Sequence, residues 1–146
     1  MPVRRSLSPR PNQMNASMDW PSRRDPRQQR GRDSEQLARA FLERQGYQIE
    51  AANVRFRMGE LDLVGVQHGI LCIVEVRSRS AARFGPAAAS ILHGKRQRLI
   101  RAAQFYLQRR RPQWTGNVRF DVVAIDYPAS GEPAIQLIPS AFTLDR

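Results

Sequence analysis

"GELDLVGVQHGILCIVEVRSR", residues 59–79, decides the fold of this chain. Valine, isoleucine and leucine dominate it, a composition that favours strands, and His68-Gly69 sits at its centre. Glycine accepts positive φ without steric penalty and histidine visits that region more than most residues. The pair therefore reads as a two-residue hairpin turn. That turn sets a register in which Gln67 faces Ile70, Val64 faces Ile73, Asp62 faces Glu75 and Glu60 faces Arg77. Strand side chains alternate with period two, which puts Glu60, Asp62, Glu75 and Arg77 on one face. The same face continues as Val64, Val66, Leu71 and Ile73, while the opposite face carries Leu61, Leu63, Val74 and Val76. A hairpin apolar on both sides belongs in the middle of a covered sheet. Acids at one end of it point to a pocket.

Directly opposed strand residues have Cβ atoms about 5 Å apart. Two carboxylates at that spacing repel by roughly 3 kcal/mol at an effective dielectric of about 20. A shared proton, a neighbouring cation or a bound metal has to offset this. Opposed carboxylates on rigid strands suit a hard divalent ion such as Mg²⁺, which takes one or two carboxylates and keeps several waters. The competing reading is a solvated sheet face on which Arg77 neutralises Glu60 or Glu75. The apolar neighbours on both faces argue against it.

Outward from the hairpin, strands are expected at Glu60–Gln67 and Ile70–Ser78, and Tyr47–Phe56 reads as a preceding strand ending in the turn-like "RMGE". Upstream, Asp33 followed by Gln36 has the form of an N-cap with its capping-box partner. Leu37, Ala38, Phe41 and Leu42 then recur at helical spacing, and Gly46 supplies the stop. Downstream, residues 80–94 read as a loop and Lys95 to about Arg110 as a second helix, with Leu99, Ala102, Ala103 and Tyr106 on its apolar stripe. Arg119–Tyr127 is a fourth strand, and "PASGEP" turns into a fifth at Ala134–Ile138. The order α-β-β-β-α-β-β predicts an α/β sandwich around a central mixed sheet.

A chain of 146 residues fits one domain with a modest core. Residues 1–30 hold five of its prolines and seven arginines but little to bury, so they are expected to form a disordered basic tail, leaving 31–146 as a single domain. That tail is either an arm with affinity for phosphates or an upstream extension of a chain that starts at Met14 or Met18. The net charge is +11, which predicts attraction to nucleic acid or to an acidic membrane surface. Lys95 is the only lysine. No apolar run of about 18 residues is present to span a bilayer. No signal-peptide pattern opens the chain. The lone Cys72 cannot form an intrachain disulfide, which fits a reducing cytoplasm, and its place in an apolar strand predicts core packing.

With "NVRF" before it and "KRQRLIRAAQFYL" and "RFDVVAI" after it, the hairpin resembles the UPF0102 (YraN) family over about residues 31–127. That family is similar to a branch of the PD-(D/E)XK nuclease superfamily, with a restriction-endonuclease-like fold, and to archaeal Holliday-junction resolvases. The resemblance implies nucleic acid, above all DNA, as partner and Mg²⁺ or Mn²⁺ as cofactor; it also implies a homodimer among the states to test, since junction enzymes are often dimers. It makes Asp62 the metal-binding aspartate and Glu75 the acid of the (D/E)XK element, so that these two hold the metal. Glu35 falls where the family places a helix-borne glutamate; equally, it is an N-terminal helix acid favoured by the macrodipole. Glu60 reads as an ion-pair partner of the site rather than a ligand.

Arg77 stands where the family usually has lysine. A guanidinium supplies fixed charge and bidentate phosphate contacts, but it does not give up a proton near neutral pH. Lys95, on the core-facing side of the second helix, is the candidate substitute; the competing reading makes it a phosphate contact or a surface lysine. Arg98, Arg101 and Arg109 fall on one side of that helix, and Arg55 and Arg57 flank the turn before the acids. Together they form a candidate nucleic-acid surface that grips backbone without reading bases. Asp121 is expected to pair with an arginine. His68 and His93 receive no role. The functional expectation is a metal-dependent endonuclease acting on DNA, branched DNA included. The alternatives are a binding module of the same fold that has lost turnover, and a basic scaffold whose acids are structural.

Overall fold

The computed structural model describes residues 26–80 and 93–143. Its elements are α1 (Pro26–Arg44), β1 (Gln48–Phe56), β2 (Gly59–Gln67), β3 (Ile70–Ser80), α2 (His93–Arg110), β4 (Val118–Tyr127) and β5 (Ala134–Thr143). The five strands form one sheet in the order β1-β2-β3-β4-β5. Every neighbouring pair is antiparallel except β3–β4, which is parallel and therefore needs a crossover; α2 lies in that crossover. On one face Leu99, Ala102, Ala103 and Tyr106 of α2 pack over Val64, Leu71, Ile73 and Phe120. On the other, Ala38 and Leu42 of α1 pack over Leu63, Cys72, Val74, Val123 and Ile125. The β2–β3 hairpin is thus covered on both sides, as its composition demands.

Local chemistry explains the corners. His68 and Gly69 adopt φ of 51° and 74°, two successive left-handed residues that match strand twist in a tight hairpin. The ladder then runs in the expected register from Gln67↔Ile70 to Leu63↔Val74. At the end of α1, Gly46 has φ 89°; its N–H donates to Glu43 O (3.1 Å) and Tyr47 N–H donates to Leu42 O (3.0 Å). These two bonds close the helix, and Tyr47 then packs in the same cluster as Leu42.

Three expectations are corrected. The helix does not begin at an Asp33 N-cap: α1 starts at Pro26, and Asp33 lies inside it, accepting a bond from Gln29 Nε2 (3.0 Å). Proline suits a first helical turn. The added length has a tertiary partner that local propensity does not reveal, the Tyr127 ring, whose centre lies 5.0 Å from the Arg30 guanidinium; just past Asp33, Ser34 Oγ is hydrogen-bonded to the Tyr127 hydroxyl (2.8 Å). Of the expected tail, residues 26–30 are therefore helical and 1–25 lie outside the described residues. Most of the expected loop, 81–92, also lies outside them, β3 reaching Ser80 and α2 opening at His93.

The fifth strand runs past Ile138 to Thr143 because the pairing slips. Phe120 faces Phe142 but Val122 faces Ile138, Ser140 has φ 51°, and Asp121 Oδ1 accepts the Ser140 N–H (2.9 Å). Pro139 reads as a strand terminator, but this bulge lets the strand continue beyond it. Among the described residues no helix is long and apolar enough to cross a membrane.

Candidate functional site

The β2–β3 ladder stops at Leu63↔Val74, one step before the acids. There the Val76 N–H donates not to a strand carbonyl but to Asp62 Oδ2, at 2.9 Å. On the other side of β2, Asn53 has φ 52° between the pairs Ala52↔Leu63 and Val54↔Leu61. The alternation of side chains breaks at this point. Leu61 joins the α2-side cluster, whereas Leu63, two residues on, joins the α1-side cluster. In a regular strand the two would share a face, so the expected grouping of Leu61 with Leu63 and Val74 is wrong. The distortion leaves the Asp62 carboxylate where β2 and β3 part.

Glu75 lies beside it, 7% exposed, and is ion-paired through Oε1 with the Lys95 ammonium from the first turn of α2. Burial raises the Asp62 carboxyl well above the usual carboxylate range. The charge of Glu75 raises it further and Glu35 adds to this, against the lowering effect of the Val76 N–H. The structure therefore brings Asp62, Glu75, Lys95 and, within electrostatic reach, Glu35 to one place. Glu35 is half-buried on the same side of α1 as the fully buried Ala38 and Leu42.

A cavity of about 250 Å³ opens here, lined by Gly59, Glu60, Asp62, Glu75, Lys95, Arg98 and Leu99. Arg77 is outside that lining, half-buried on β3 opposite Ala124 of β4. The expected Glu60–Arg77 opposition does not form. With the β2–β3 ladder ended, Glu60 pairs instead across β1 with Arg55, Nε to Oε1 at 3.0 Å, and both side chains are exposed. Arg98 stands in the cavity wall, and Arg57 and Arg101 are exposed. Gly59 is a lining residue that the sequence reading passed over as part of a turn. A Cβ there would lie 3.6 Å from Arg98 O, so β2 enters the site in close contact with α2.

Among the described residues no three His, Cys, Asp or Glu side chains converge as a metal cage. Two carboxylates remain, one of them held above its ordinary pKa by burial and by the charge of the other. That donor set fits an ion that takes few protein ligands and keeps its waters, for which the cavity has room. Asp121, by contrast, is paired as expected, with Arg119 Nε 2.8 Å from Oδ1. Cys72 is fully buried, and burial pushes its thiol up to about 11, so it packs as a neutral apolar group.

The family model for UPF0102, described as an uncharacterised protein family, matches residues 34–125. The chain is 51% identical over 105 residues to a UPF0102 protein of Halorhodospira halophila, covering 72% of this chain and 83% of that one. It is 47% identical over 120 residues to one of Xanthomonas campestris pv. campestris, covering 82% and 95%. A third, from Symbiobacterium thermophilum, is 40% identical over 112 residues, covering 77% and 94%. The matched segment contains both acids, Glu35, Lys95 and every strand through most of β4.

Proposed function

The chain belongs to the uncharacterised protein family UPF0102, and from that premise we propose that it is a metal-dependent phosphodiesterase acting on nucleic acid, DNA in the first instance. The observation that carries the reading is the meeting of Asp62 and Glu75 at a break in the sheet, in a cavity also lined by Lys95 and Arg98. Acids in a cavity with cations beside them suit a substrate that is itself an anion and needs a metal to approach. The net charge of +11 supports a polyanionic substrate.

Asp62 and Glu75 would hold Mg²⁺ or Mn²⁺, which when bound acidifies a water and screens the phosphate charge. The rest falls to the chain's own side chains. Lys95, held at the cavity by Glu75, is the ammonium within reach of a phosphate oxygen; it takes the part a lysine at position 77 would have had. Arg77 contributes a fixed positive field from β3 and cannot act as a proton donor or acceptor. Glu35 keeps the Asp62 side of the site negative, which favours cation capture. Arg98 offers hydrogen bonds to the backbone of a bound strand.

A second reading has one observation in its favour. The Lys95 ammonium already balances Glu75, as it would in a binding module without turnover. One assay separates the two. The pure protein is incubated with labelled single strands, duplexes, flaps and four-way junctions, in Mg²⁺, Mn²⁺ or EDTA, beside Asp62→Ala, Lys95→Met and Arg77→Lys. The nuclease reading expects metal-dependent cleavage that falls by about 100-fold or more in the first two variants and changes far less in the third. Binding without cleavage, indifferent to Asp62→Ala, would replace it with the binding module.

A further inference from the structure

We propose that the flank of α2 facing β1 is a binding ridge for single-stranded nucleic acid, whose unpaired bases stack on Phe105 and Phe56 while arginines hold the backbone. The inference rests on the reading of the cavity as a phosphodiester site, and it names the form of substrate that the site receives. At 3.6 residues per turn, Arg98, Arg101, Phe105 and Arg109 fall on one flank of α2, beside the buried stripe of Leu99, Ala102 and Tyr106. Arg98 also lines the acid cavity, so the row begins at the site and leads away from it.

This flank faces β1 and the β1–β2 turn, as two contacts establish. The Phe105 and Phe56 rings meet edge-on, centroids 4.9 Å apart at 70°, and Gly59 lies against Arg98 and Ala102. Both rings are half-buried, and the Arg109 guanidinium sits 4.6 Å from the centre of Phe105. Arg57, exposed in the turn, adds charge on the same side. Glu60, the acid of the cavity rim, is already matched by Arg55. From Arg98 to Arg109 the helix rises about 16 Å, room for a few nucleotides.

Arginines interleaved with aromatic faces are the means by which single strands are held without sequence preference, since each base has a π-face and each nucleotide a phosphate. A duplex buries its base faces and can use only the charges. If Phe56 and Phe105 merely seal the core, a strand without bases should bind as well as one with them. That difference makes the ridge testable without any knowledge of the reaction.

The test uses the full chain in EDTA, which silences cleavage, at about 150 mM salt. Fluorescence anisotropy is read with three labelled oligomers of about 12 nucleotides: a mixed-sequence single strand, its blunt duplex, and an abasic strand of the same charge. The expected result is that the base-bearing strand binds about tenfold tighter than the abasic strand and tighter than the duplex. Phe105→Leu, which keeps apolar bulk without a π-face, should lower the ratio of base-bearing to abasic affinity by several-fold, the Phe56 ring accounting for what remains. Equal affinity for base-bearing and abasic strands, or tightest binding of the duplex, overturns the ridge. The wild-type comparison decides alone if the variant melts early, and it cancels the contribution of charge elsewhere in the chain. Stacking found beside a failed cleavage assay would sink the nuclease and keep the ridge; cleavage without stacking would do the reverse.

Discussion

Asp121 and Asp62 are the same residue in the same predicament, an acid drawn into the sheet where a ladder breaks. At the β4–β5 slip, Asp121 is 1% exposed and both its oxygens are answered. Oδ1 accepts from Arg119 Nε (2.8 Å) and the Ser140 N–H (2.9 Å), while Oδ2 accepts from the Tyr47 hydroxyl (2.8 Å) and Arg119 Nη2 (3.1 Å). Where β2 and β3 part, Asp62 also takes a backbone N–H, from Val76, but its neighbouring charges are Glu75 and, further off, Glu35. One break is mended by an acid and its full set of donors. At the other, Lys95 answers Glu75, and the charged form of Asp62 has the Val76 N–H to set against burial and the neighbouring acids. A buried acid with complete partners belongs to the fold, whereas one held beside another acid is placed against the interest of stability, which is how binding and catalytic sites are recognised.

The largest expected effect breaks the satisfied side of this comparison. Asp121→Asn keeps the shape but leaves Arg119, whose side chain is 15% exposed, without its counter-charge; removal of one partner of a buried pair costs about 3 kcal/mol or more. Urea denaturation should show that loss as a lower midpoint at unchanged slope. Asp62→Asn should do the opposite. The amide can still accept from Val76 N–H and no longer repels Glu75, so stability should rise by about 1–3 kcal/mol. The pH dependence has a definite sign. The Asp62 carboxyl is raised in the folded state, so its contribution is whole below the unfolded carboxylate range, about pH 4, and is lost as the pH climbs through the raised value. Wild type should weaken toward alkaline pH and Asp62→Asn should weaken less. Mn²⁺ should raise the melting temperature of wild type and not of the variant. An asparagine variant that melts below wild type at pH 8 would make the two acids alike.

The comparison also separates what the sequence discloses from what it hides. The hairpin register from Gln67↔Ile70 to Leu63↔Val74 follows from His68-Gly69 and period-two alternation, both local signals. The Gly46 stop and the buried stripe of α2 are local in the same sense. The site is legible only in part, because its geometry depends on where regular alternation fails. Asparagine tolerates positive φ better than most residues, but within an apparently regular strand that tendency does not say that Asn53 uses it, and alternation alone puts Leu61 on the wrong face. The Glu60–Arg55 pair was hidden for a related reason: a residue between two neighbouring strands has two possible partners, and alternation does not choose between them. Lys95 reaching Glu75 depends on how α2 crosses the sheet, a tertiary fact with no signature at positions 95 or 75. The early start of α1 likewise goes with a contact far away in sequence, the Arg30 guanidinium over the Tyr127 ring.

Glu50 gives the smallest effect and the sharpest control. A slip between Ile49 and Ala51 turns it toward the end of α2, where it accepts from the Tyr106 hydroxyl (2.8 Å) and from Arg111 Nη2 (2.7 Å) and Nε (3.0 Å). It is therefore an acid at a third break, with donors like those of Asp121 but nearer solvent. The Arg111 hydrogen bonds hold its carboxyl below the usual range, with Tyr106 helping and burial opposing. A lowered folded value reverses the sign found at Asp62: the contribution is present above the unfolded carboxylate range and is lost as the pH falls through the folded value. Glu50→Gln should thus lower the melting temperature by only about 2 °C at neutral pH, after allowance for solvent screening, and by nothing at low pH. Raised salt should shrink even that, because the pair is partly exposed. Were Glu50→Gln instead to stabilise the protein as the pH rises, strand breaks themselves, rather than the partners each acid finds there, would set the electrostatics of this fold.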